Sequence, residues 1–167
     1  MAFFTDALRA ALTARGTAGV YGELITLSVV ASISIEEDPG PWLIAITVAI
    51  TNLVFWTAHV HASLISEWTH DGGRPGWAQA GHRMKREFPL FMACVPTIAV
   101  LALSGVGLYS VETAVWLSLV LGIALLGAWG IGIARIARLG VTGALTVGGI
   151  NIVLGLAIVL LKVSVSH

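Results

Sequence analysis

Apolar residues run in five long blocks, at about 18–35, 41–66, 89–109, 112–134 and 141–163, and the gaps between them hold most of the charge. A helix rises ~1.5 Å per residue, so a block of roughly 20 residues crosses the ~30 Å of hydrocarbon in a bilayer. The pattern predicts an all-α polytopic membrane protein with five transmembrane helices. Little chain is left over, so 1–167 reads as a single transmembrane domain. Residues 3–15 read as a separate amphipathic helix at the interface, capped by Thr5 or Asp6 and ended by Gly16. Phe4, Leu8 and Leu12 share its apolar face at four-residue steps. Asp38-Pro39-Gly40-Pro41 separates the first two spans. Residues 67–88 read as a connector opened by the 72–76 break, with Trp77, Met84 and Phe88 dipping into headgroups and Arg83 and Arg86 against anionic lipid.

Composition agrees with the pattern. Charged residues make up 11% of the chain, against about 25% in a soluble domain. Net charge is zero, which removes the field a nucleic-acid partner would need and leaves the lipid bilayer as the expected environment. The distribution of charge is more informative. Arg9 and Arg15 precede the first span, Arg74, Arg83, Lys85 and Arg86 lie between the second and third, and Arg135 and Arg138 follow the fourth. Only Lys162 lies on the other side, where the loops carry Glu36, Glu37 and Asp38, or Glu112. Positive charge collects on the cytoplasmic side, so the N-terminus is expected inside and the C-terminus outside, in the plasma membrane. No basic leader precedes a short apolar core, so the first span is expected to act as its own insertion signal. Cys94 is the single cysteine, which rules out an intrachain disulfide and a thiolate metal cluster.

Glu23 stands alone among apolar or mildly polar neighbours between Ala18 and Ile35. An acid at mid-helix costs ~2.5–3.5 kcal/mol on insertion scales and defaults to a functional reading. Both Glu23 and His59 of the second span lie ~9–11 Å in from the cytoplasmic side by helical rise. They are therefore expected to meet as a carboxylate–imidazole pair that binds a divalent cation or passes a proton. Asn52, Trp56, His59, Ser63, Ser66 or Glu67, and His70 recur at three- and four-residue steps, a polar stripe on one helix face. His61 lies ~200° around the helix from His59 and faces elsewhere. At the cytoplasmic mouth Glu67, His70 and Asp71, with His82 and Glu87, offer imidazole and oxygen ligands for iron, manganese or zinc.

Small residues mark the last two spans. Ala144, Gly148, Asn151 and Gly155 recur at helical spacing in the fifth, and Gly122, Gly127, Gly130 and Gly132 lie in the fourth. Such residues let backbones approach, and Asn52 and Asn151 are suited to bonding across helix contacts. Tight packing within the subunit is the first reading of Gly148, Asn151 and Gly155, and a homodimer seam the second. No nucleophile–base pair or phosphate loop is visible, and no second span offers a histidine to face His59 across a haem. An enzyme is therefore not expected, and no resident cofactor is legible beyond a transported divalent cation.

Gly22-Glu23-Leu24-Ile25-Thr26-Leu27-Ser28-Val29-Val30-Ala31, Ser66-Glu67-Trp68, and Phe88-Pro89-Leu90 leading into a span with Pro96 together resemble the vacuolar iron transporter family. The resemblance covers most of the chain and implies a homodimeric exchanger moving a divalent metal out of the cytosol against protons. The family's first-span Asp falls on Tyr21 here, its long Glu- and Met-rich hairpin shrinks to about twenty residues, and Glu67 is the one ligand position that transfers. The expectation is a small cation transporter built on Glu23 and His59. The alternative is a non-transporting membrane scaffold or accessory subunit held by small-residue packing.

Overall fold

The computed structural model describes the backbone of residues 2–33, 39–71 and 77–165, and the side chains of residues 15–33, 39–66, 77 and 80–164. Residues 34–38 and 72–76, with Glu36, Glu37, Asp38 and Arg74, lie outside the described residues, as does His167. So do the side chains of Phe4, Thr5, Asp6, Leu8, Arg9 and Leu12.

Six helices and no strand occur among the described residues: α1 (Ala2–Ile33), α2 (Pro41–Asp71), α3 (Trp77–Met92), α4 (Val95–Gly105), α5 (Val111–Ile136) and α6 (Gly140–Val165). Four segments are long and apolar enough to cross a membrane: Arg15–Ile33, Pro41–Ser66, Val111–Ile136 and Gly140–Ser164. The bent pair Ala80–Met92 and Val95–Gly105 makes a fifth candidate if the two helices count as one broken span, so four or five helices are candidates to cross. The large aliphatic side chains Ile46, Ile50, Val54, Leu156 and Leu160 lie exposed on the outer surface, as lipid contact requires. The molecule is a helical membrane protein.

Two expectations change. Gly16 does not end a separate helix, because α1 runs unbroken from Ala2 to Ile33. One interior glycine costs only about 1 kcal/mol against alanine, and this one gives room to Ile133, whose Cγ1 would stand 2.6 Å from an added Cβ. The 67–88 connector is largely helical: α2 reaches Asp71, and residues 77–88 form most of α3, so the third crossing starts earlier than expected. That crossing is also broken. Pro96 has no N–H for the Met92 carbonyl, and its ring crowds that carbonyl, so the helix ends at Met92 and restarts at Val95 with a 45° bend. The Cys94 N–H turns back to the Phe91 carbonyl at 3.4 Å.

α1 is central and packs on α2, α3, α5 and α6. Its register against α5 is antiparallel: Gly16 meets Ile133, Gly19 meets Trp129, and Leu27 meets Gly122. The densest apolar core, Leu27, Val30, Ile44, Val48, Leu101, Val115 and Leu119, occupies the half of the bundle towards Pro41 and Ser110. At that end Ser110 caps α5 by accepting from the Thr113 N–H at 3.2 Å, and the Tyr109 hydroxyl donates to the Val100 carbonyl at 2.6 Å. The opposite half, towards Arg15 and Lys85, is looser and contains the cavity described next.

Candidate functional site

Glu23 is fully buried, and neither carboxylate oxygen has a hydrogen-bond partner among the described residues. Its place follows from the glycines around it. On α1, Gly22 lies so close to the break in the third helical segment that an added Cβ would run into the Leu90 carbonyl oxygen. On α5, a Cβ at Gly122 would stand 2.8 Å from Glu23 Oε1 and 2.6 Å from Leu27 Cδ2. One turn back along α1, a Cβ added at Gly19 would stand 2.7 Å from the Trp129 indole. Absent side chains thus let two neighbouring helices close around the carboxyl.

A cavity of about 570 Å³ opens beside it between α1, α3 and α5. Phe88, Pro89, Met92, Pro96, Leu125 and Trp129 supply most of the wall, Glu23 is its one acid, and Arg15 and Lys85 are its two cations. Arg15 is eight residues from Glu23, about 12 Å along the axis of α1. The space therefore runs from a basic mouth to an acidic inner end.

The expected Glu23–His59 pair does not form. His59 is half-exposed and its Nε2 lies 3.5 Å from Oε2 of Glu87, a buried carboxylate on α3. On α1 the neighbour of His59 is Tyr21, with ring centroids 6.3 Å apart. Two residues separate Tyr21 from Glu23, about 200° around a helix, so the face that meets His59 turns Glu23 away.

The other nominated residues divide. Asn52 is fully buried and joins α2 to α1: its Nδ2 donates to Thr26 Oγ1 at 3.1 Å and to the Val48 carbonyl at 3.0 Å, while Thr26 Oγ1 donates to the Gly22 carbonyl at 2.8 Å. Asn52 is therefore attached to the turn that carries Glu23. Asn151 Nδ2 donates to the Leu126 carbonyl at 3.1 Å, Gly148 packs on Ile131, and Gly155 packs on Ile123 and Leu126, so all three serve the α5–α6 contact within one chain. Glu67, His70 and Asp71 belong to the last turns of α2, and their side chains lie outside the described residues. Among the described residues no three His, Cys, Asp or Glu side chains gather as a metal site.

Phe88, expected to reach the headgroups, is partly exposed and also makes contacts inside the bundle. Its ring packs edge-on to Trp56 at 6.1 Å and beside Phe91 at 6.0 Å while also lining the cavity. Trp129, Met92 and Lys85 were not anticipated as site residues. A signal for one existed: Gly122, Trp129 and Ile133 fall at seven- and four-residue steps, one stripe of α5, and that stripe faces α1. Comparison of the chain with family models, with curated proteins and with solved structures returns no match.

Proposed function

We propose that the protein is a small integral membrane transporter for cations in which Glu23 carries the transported or coupling positive charge. One observation carries this reading: a fully buried carboxyl without a hydrogen-bond partner among the described residues lines the inner end of a cavity. An ionised carboxylate in apolar surroundings is costly unless a counter-charge meets it, and a purely structural acid would be expected to take a hydrogen bond from a neighbour. Glu87 has His59 as an ion-pair neighbour; Glu23 has no partner among the described residues. The positive-inside rule assigns the basic end of the bundle, where Arg15 and Lys85 line the cavity, to the cytoplasm. The broken third crossing abuts the Glu23 turn through Gly22, and interrupted helices beside a mid-membrane site are a recurring device of transporters.

A divalent metal is the substrate class implied by the resemblance, which transfers Glu67 alone; His70 and Asp71 beside it are candidate cytoplasmic ligands by residue type. The test covers both cases. Proteoliposomes containing the protein are loaded with a pH-sensitive dye and challenged with a proton gradient, and in parallel with Mn²⁺, Fe²⁺ or Zn²⁺. Protein-dependent flux that falls at least tenfold in Glu23→Gln is the expected result. Equal flux in wild type and variant would remove Glu23 from the transport path, and no flux of either kind would favour the scaffold reading.

A further inference from the structure

We propose that the cavity beside Glu23 takes an amphipathic organic cation, an aromatic or alkyl ammonium or phosphonium, with its positive centre at Glu23 and its apolar body on Trp129, Phe88 and Met92. The inference rests on the transport reading above and supplies its substrate class.

Size is the first ground. A single water occupies about 30 Å³ of liquid, and a proton or bare metal ion needs no more room than that. The space here is about 570 Å³, inside the roughly 300–1,000 Å³ range of sites that bury small organic molecules. The chemistry of the wall is the second. An inorganic cation seeks several oxygen or nitrogen ligands, and the cavity offers one carboxyl among phenylalanine, tryptophan, methionine and proline side chains. An organic cation asks for the reverse: one counter-charge, broad apolar contact and aromatic faces that attract positive charge. Trp129, held over Gly19 one turn from Glu23, places an aromatic surface beside the acid.

Charge placement is the third. Arg15 and Lys85 are the charged side chains that share the cavity with Glu23, and both are exposed at the mouth. There they repel a small hydrated cation that gains nothing from the wall, whereas an amphipath gains apolar contact along the route. The inner end is the only acidic part of the lining, so the preferred orientation sets the positive centre deepest.

The probe pair is tetraphenylphosphonium and tetraphenylborate, equal in shape and opposite in charge, titrated calorimetrically into the intact purified chain in nanodiscs. Saturable phosphonium binding is expected, at least tenfold weaker in Glu23→Gln and lost in Ala128→Trp. The second variant fills the cavity from an exposed position on α5 and leaves the acid in place. Borate binding equal to phosphonium binding would overturn the proposal, as would phosphonium binding indifferent to both variants. Glu23-dependent proton flux with no phosphonium binding would refute this substrate class alone and leave the transport reading intact. If flux and binding are both indifferent to Glu23, the shared site falls.

Discussion

The two faces of α5 use similar residues to different ends. Towards α6 it presents Gly127 and Gly130, Asn151 enters that contact, and its amide is satisfied by the Leu126 carbonyl at 3.1 Å. Towards α1 it presents Gly122, Glu23 enters that contact, and its carboxyl is satisfied by nothing in the described chain. Both contacts bury one polar side chain against glycine. The difference lies in what surrounds the polar group. At α6 the small residues are filled by Ile123, Ile131 and Ile152, so the helices interlock. At α1 the third crossing bends away at Met92 and leaves a cavity beside the acid. A satisfied polar group between interlocked helices is an attachment, whereas an unsatisfied one beside open space is suited to a ligand.

That contrast can be broken most severely at Gly22. Gly22→Val sets a side chain where even a Cβ would run into the Leu90 carbonyl, so α1 and α3 must separate. Overpacking of this kind costs about 3 kcal/mol or more, and the variant is expected to lose its sharp gel-filtration peak or its cooperative thermal transition. Gly148→Leu attacks the other face, driving a side chain into Ile131 and the Gly127 carbonyl, with an expected loss of about 2–3 kcal/mol in detergent unfolding. If flux per folded molecule falls with Gly148→Leu as much as with Glu23→Gln, the two faces are not functionally distinct.

Smaller changes sharpen the same division. Asn151→Ala removes one interhelical bond and is expected to cost about 0.6–1.7 kcal/mol in unfolding without altering flux. Glu23→Gln is expected to behave in the opposite way, abolishing flux while leaving unfolding unchanged or slightly stabilised, because no described residue bonds the carboxyl it replaces. His59→Ala is expected to have the smallest effect on transport. It takes away the half-exposed partner of Glu87, costing about 1 kcal/mol or less, and flux is retained. A tenfold loss of flux in His59→Ala would restore His59 to the site.

The sequence by itself determined the class of molecule. Five apolar blocks, sparse charge and a basic bias towards one side dictate helices in a bilayer, because backbone polar groups in hydrocarbon have to be satisfied within each segment. It also singled out Glu23, since an acid among eighteen apolar or mildly polar residues is conspicuous without coordinates. Helical rise is a fixed number per residue, so depth could be counted. What the chain alone did not decide was azimuth. Which side of α1 meets α2, and which meets α5, depends on close approaches at Gly19, Gly22 and Gly122 and on a bend forced by Pro96, all between segments far apart in sequence. Those contacts gave His59 to Glu87, turned Glu23 towards Trp129, and opened the cavity between them and the broken crossing. Only packing among all the helices sets the rotation of each one, because each contact restricts the angles left for the next.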